Sequence, residues 1–191
     1  MKRVSKMLTR KDALNLVMSS VEDNRRILCH MLAVEAIMRG LASSLNEDEE
    51  LWGLTGLLHD IDYEKTKEKP EKHAVIAEEL LKGRVSEDVT RAIKAHNSQY
   101  TKVYPETKME KALVACDSLS GLLIACALVM PSKKLEEVKV ETVVKKFKDK
   151  DFARGTDRDR VALCEEIGVK KERFFQIALE ALKEISSELG L

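Results

Sequence analysis

Apolar residues recur along this chain at the three-and-four spacing of an α-helix, and the breaks between periodic stretches carry capping and turn residues. The first stretch predicts a helix from about Arg10 to Val21 behind Thr9, and the second a helix from about Asn24 to Leu45, capped by Asp23, with His30 on its second turn. Asn46, followed by the acids Glu47 to Glu50, suits the start of a third helix because negative charge is stabilised at the positive end of the helix dipole; that helix runs to about Asp60. The polar, lysine-rich stretch Tyr63 to Lys69 reads as a loop closing at Pro70, and the next helix, from about Glu71 to Lys82, holds His73 in its first turn and stops at Gly83. Ser86 caps a helix from about Glu87 to Asn97 with His96 in its last turn. Pro105 then precedes the most apolar stretch of the chain, Ala112 to Met130, which contains Asp117. Beyond Lys133 the pattern changes to charge-rich helices at about Val138 to Lys148, Arg158 to Ile167 and Lys171 to Leu189, with a loop near Gly155. The fold class expected is all-α.

Composition supports that reading. Aromatic residues make up 4% of the chain, and Gly and Pro are scarce beside residues that lose little rotamer freedom in a helix. With 191 residues, 44% of them hydrophobic, one helical domain over 1–191 is expected, with a core at 25–130 and the helices of 133–191 packing on it as cover on the substrate side. The 33 basic residues balance the 33 acidic ones, so no overall field draws the protein onto a nucleic acid polymer or an anionic membrane. The Ala112 to Met130 run approaches spanning length, but a carboxylate inside a spanning helix costs about 2.5–3.5 kcal/mol on insertion scales. Asp117, with Ser118, Ser120 and Gly121, therefore marks a buried core helix. The N-terminal MKRVSKMLTRKDA has no apolar stretch behind its basic residues, and Cys29, Cys116, Cys126 and Cys164 lack any CxxC spacing. Both features point to a cytoplasmic protein with buried free thiols.

The candidate chemistry lies in the four histidines, His30, His59, His73 and His96, with Asp60 beside His59 and Asp117 in the apolar helix. One histidine on a helix signifies little; six such residues at helical positions signify more. A buried carboxylate must be paired, coordinated or neutralised, and the chain neighbours of Asp117 offer no cation. A divalent metal held with neutral imidazoles meets that need.

The order His30, His59-Asp60 and Asp117, with the doublet in the context LLHDI, resembles the H…HD…D pattern of the HD superfamily, all-helical metal-dependent phosphohydrolases. In two-metal members two further histidines fall between the doublet and the last Asp, and His73 and His96 occupy those places. The resemblance then implies one ion on His30, His59, Asp60 and Asp117 and a second on Asp60, His73 and His96, the metals being Fe, Mn, Ni, Zn or Mg. A one-ion site on the first four residues is the alternative. Many two-metal relatives continue HDIGK, with a Lys on phosphate; this chain reads HDIDYEK, with Asp62 and Tyr63 at the Gly and Lys positions. Glu64 falls where related hydrolases carry an acid, so Asp60 and Glu64 are the candidate catalytic acids, and Lys72 and Lys94 are candidates for binding phosphate oxygens. The expected activity is hydrolysis of a phosphate ester or anhydride of a small phosphorylated molecule, a nucleotide first, by metal-activated water. A catalytically silent sensor or interaction module is the alternative.

Overall fold

Helix α1 (Arg10–Ser20) begins at a reciprocal cap. Thr9 Oγ1 accepts the Asp12 amide at 3.2 Å while the Asp12 carboxylate accepts the Thr9 amide at 3.3 Å. The computed structural model describes residues 7–191, and among them there is no β-strand. The cap of α2 (Arg25–Leu45) is Asn24 rather than Asp23, its side-chain oxygen 3.2 Å from the Ile27 amide. Asn46 closes α2 in the left-handed region at φ 55° instead of opening the next helix; asparagine is one of the few side chains that region tolerates. Asp48 caps α3 (Glu49–Leu58), which stops two residues short of the expected Asp60.

The stretch after α3 departs most from expectation. Residues expected as loop form the one-turn α4 (Tyr63–Thr66), and the single helix expected from Glu71 is broken. Pro70–Lys72 is a 3₁₀ turn, His73 is extended, Ala74 is left-handed at φ 69°, and only then does α5 (Val75–Leu81) begin. Next come α6 (Glu87–His96), capped by Ser86, and the short α7 (Ser98–Thr101). A second capping box, Thr107 with Glu110, opens α8 (Lys108–Leu128). The C-terminal part contributes α9 (Val140–Lys148), α10 (Arg158–Glu166), α11 (Lys171–Glu184) and α12 (Ser186–Leu189), the last two separated at Ile185 where one helix was expected.

Helices α2 and α8 form the middle of the structure. By length and composition both could cross a membrane, yet 56% and 61% of their apolar windows are buried inside the protein. Helix α3 lies so close to α2 that a Cβ on Gly56 would stand 2.9 Å from the Val34 carbonyl oxygen. Helix α10 packs along α8 and α11 along α2, and one continuous core joins Met38 and Leu41 of α2, Leu119 and Leu123 of α8, Val161 of α10 and Phe174 of α11. A second core, containing Val17, Met31, Leu58 and Ile93, ties α1, α2, α3 and α6 together. All four cysteines are free, and burial pushes the Cys126 and Cys164 thiols up to about 11.

A candidate metal centre of four histidines and two aspartates

Three helices and two turns bring the six polar residues together. His30 projects from the second turn of α2, His59 follows the last residue of α3, His96 ends α6, and Asp117 lies mid-way along α8. The last turn of a helix leaves carbonyl oxygens without an intrahelical partner, and two of the imidazoles use them. His59 Nδ1 lies 2.8 Å from the Gly56 carbonyl, and His96 Nδ1 bonds the Ile93 carbonyl. A carbonyl can only accept, so in both rings Nδ1 carries the proton.

The other two rings are fixed in the same sense. His73 Nδ1 is 2.8 Å from Asp62 Oδ1. Ser120 Oγ donates to the Asp117 carbonyl at 2.9 Å, which leaves it to accept from His30 Nδ1 at 3.2 Å. All four imidazoles therefore turn Nε2 toward one another: His30 and His59 at 3.2 Å, His73 and His96 at 2.9 Å. Imidazoles oriented through Nδ1 by carbonyls and carboxylates are the usual support of a metal site.

The two acids complete two groups. Asp60 Oδ1 lies 3.2 Å from His73 Nε2 and 3.5 Å from both His59 and His96 Nε2, while its Oδ2 is 3.7 Å from His30 Nε2. Asp117 Oδ1 is 3.3 Å from His30 Nε2 and 3.9 Å from His59 Nε2. His30, His59 and Asp60 could hold one ion and Asp60, His73 and His96 another, with Asp60 common to both. Donors bound at about 2.1 Å on neighbouring corners of a coordination shell stand about 3 Å apart, close to the separations within each group. The donor set of neutral imidazole and carboxylate suits a first-row divalent ion.

Electrostatics bind the cluster together. Burial pushes the His59 imidazole down to about 4, leaving it neutral. Burial also opposes charge on His73, but its hydrogen bonds to Asp60 and Asp62 raise it to about 10. His30 is raised as well, Asp117 and Asp60 outweighing burial. Against the cost of burial, the imidazoles around them hold the Asp60 and Asp117 carboxyls well below the ordinary range.

Glu64, Lys72 and Lys94 are not brought into this cluster. The Glu64 oxygens bond the Asn24 amide and, at 3.0 Å, Lys67 Nζ, tying α4 to the cap of α2. Lys94 pairs with Glu78 at 2.9 Å, and Lys72 is exposed on the 3₁₀ turn. Two residues that sequence reasoning left without a role do reach it. Asp62 is fully buried; besides His73 it accepts the Ala74 and Ala77 amides, each at 2.9 Å, so it caps α5 from a distance and holds the left-handed turn at Ala74 that points His73 inward. Arg160, from α10, places Nη2 3.2 Å from Asp117 Oδ2 and 2.8 Å from the His96 carbonyl. The only signal for Asp62 was its acid at a glycine position of the HDIGK pattern; nothing in the sequence marked Arg160 among the arginines of a charge-rich region.

Among known family models, that of the HD domain matches residues 27–125, just over half of the chain. No curated protein and no solved structure matches.

Proposed function

The chain belongs to the HD superfamily of metal-dependent phosphohydrolases, and from that premise we propose that it hydrolyses a phosphate ester or anhydride of a small molecule, a nucleotide being the first class to test. The observation that carries the reading is the convergence of four Nε2 atoms and two carboxylates on one point, with Asp60 facing both halves of the cluster. His30, His59, Asp60 and Asp117 would hold one divalent ion and Asp60, His73 and His96 a second. The ions would lower the pKa of bound water and offset charge developing on phosphoryl oxygens.

The protein's own part is positional. The carbonyls of Gly56 and Ile93, the Ser120 hydroxyl and the Asp62 carboxylate fix all four ring orientations before any ion arrives, so little ordering remains for binding. Asp60, whose carboxyl stays ionised at neutral pH, is the shared acid on which both halves depend. Glu64 keeps its two partners in this reading and ties α4 to α2, and the phosphate-binding role expected of Lys72 and Lys94 passes to Arg160, whose guanidinium reaches Asp117. The four free cysteines suit the reducing cytoplasm.

The test is metal analysis of the purified protein followed by a phosphate-release screen with Mn, Fe, Ni, Zn and Mg over nucleotides and simple phosphate esters. Bound metal with turnover that vanishes in Asp60→Ala is the expected result. Bound metal with no turnover on the whole panel would replace this reading with that of a non-catalytic sensor module.

A further inference from the structure

A cavity of about 420 Å³ opens beside the cluster between α8 and α10. Two of the six cluster residues, His30 and Asp117, line it, and these are the most accessible of the set, 25% and 22% exposed against 0% for His59 and 5% for His96. The cluster therefore faces outward into this cavity. Its other walls include Ser118 and Gly121 of α8 and Gly155, Thr156 and Asp157 leading into α10, with Arg160 as its one guanidinium.

Gly121 supplies an independent observation. It lies in the interior of a 21-residue helix, one turn beyond Asp117, where alanine would favour the helix over glycine. A Cβ there would meet nothing within 4 Å, so packing does not require glycine; what a side chain would enter is the cavity. Arg160 is likewise held for more than its own satisfaction. Its Nη2 is anchored by Asp117 and the His96 carbonyl, while its Nε is buried without a hydrogen-bond partner, a donor that an oxyanion in the cavity would satisfy after a small turn of the fork.

We propose that this cavity binds the hydroxylated carbon skeleton of a sugar-phosphate-type monoester, with Arg160 on its phosphate and the Ser118 and Thr156 hydroxyls on its alcohol groups. The proposal rests on the phosphohydrolase reading and names its substrate class. The lining is charged, hydroxyl-bearing or small; its one ring is the His30 imidazole, committed to the cluster through Nε2, and it offers no Phe, Tyr or Trp on which a nucleobase would stack. Of the three side chains assigned to the substrate, Thr156 and Arg160 would then lie outside the residues matched by the family model and Ser118 inside them.

Calorimetric titration of the metal-loaded protein tests this with three probes: inorganic phosphate, the phosphonate analogue of ribose 5-phosphate, whose P–C bond water does not cleave, and the corresponding analogue of AMP. The ribose analogue should bind at least about tenfold tighter than phosphate, and the base of the AMP analogue should add less than about threefold. Arg160→Gln should weaken both sugar probes about 10–100-fold, and Arg160→Lys less, because the ammonium keeps the charge while losing the planar fork. Gly121→Leu, with metal content and melting temperature checked, should weaken the ribose analogue about tenfold or more by filling its space. A ribose analogue no tighter than phosphate, one indifferent to Gly121→Leu, or an AMP analogue tenfold tighter still would each overturn the assignment. Binding of the expected pattern with no turnover of ribose 5-phosphate under any metal would leave the cavity standing and remove the hydrolase reading alone.

Discussion

The Asp62 carboxylate holds His73 by its ring nitrogen at 2.8 Å and, with its other oxygen, the two amides that begin α5. One buried side chain thus aims a metal-binding imidazole and stabilises the left-handed Ala74 that delivers it, a conformation costing about 1–2 kcal/mol for a residue other than glycine. Asp62→Asn retains the shape but offers an N–H where the partners are themselves donors. It should weaken metal binding at Asp60, His73 and His96 about 10–100-fold and lower the melting temperature. Competition with a chelator measures the first effect; unchanged affinity for the second ion would remove Asp62 from the site.

Because Asp60 Oδ1 faces His59 as well as His73 and His96, with Oδ2 on His30, Asp60 is common to both halves of the cluster while His73 belongs to one, and the two should respond differently to substitution. Asp60→Ala should abolish all bound metal, whereas His73→Ala should leave one ion per chain on His30, His59, Asp60 and Asp117. Elemental analysis of dialysed protein gives the stoichiometry directly. A metal content unchanged by His73→Ala would mean that the chain carries a single ion.

The helices were legible because their signals are local: Thr9 and Ser86 cap the helices expected, and the apolar spacing of α2 and α8 marks them as core. The cluster was legible through the order of its residues, which the resemblance to the HD pattern supplied before any distance did. What escaped the sequence is non-local. His73 was assigned to a helix because nothing nearby in the chain shows that Asp62 would end its backbone course in a left-handed turn. Glu64 stands where related hydrolases carry an acid, and Lys72 and Lys94 lie near the cluster residues in sequence, but Glu64 bonds Asn24 and Lys94 pairs with Glu78. Arg160 lies 43 positions from Asp117 and meets it only because α10 packs on α8.

The histidines also set a pH dependence. For His59 the folded value, about 4, lies below the unfolded value near 6.5, so the unfolded chain binds the extra proton and stability falls as pH drops through that window. For His73 the folded value, about 10, lies above it, so its contribution is complete below about 6.5 and is lost as pH rises toward 10. Metal-free protein should therefore lose stability on both sides of about pH 6.5, and metal must displace the His73 proton, so affinity should climb with pH up to about 10. Melting temperatures of metal-free protein across pH 5 to 10, with proton release on metal addition, check both statements. An alkaline loss that persists in His73→Ala would assign it to another group.

Gly56 couples packing to the site. It sits one turn before His59, and its carbonyl accepts His59 Nδ1, while the atoms its missing side chain would strike belong to Val34 and Glu35, about one turn beyond His30. The same backbone approach that brings α3 onto α2 therefore sets the 3.2 Å between the His30 and His59 Nε2 atoms. In Gly56→Ala the added methyl would lie 2.9 Å from the Val34 oxygen and 3.0 Å from the Glu35 backbone, and main chain yields only by moving one helix off the other. The expected cost is about 1–3 kcal/mol, seen as a lower melting temperature, together with weaker binding of the ion on His30 and His59. Gly40→Ala is the comparison: its methyl would meet the Ile177 and Ala181 side chains of α11 at 3.3 and 3.4 Å. The Ile177 methyl can adjust, the Ala181 contact is at ordinary van der Waals distance, and both lie on the α11 side of α2, so a smaller loss of stability with unaltered metal affinity is expected. Equal effects of the two substitutions on metal binding would mean that the α2–α3 contact does not set the spacing of the histidines.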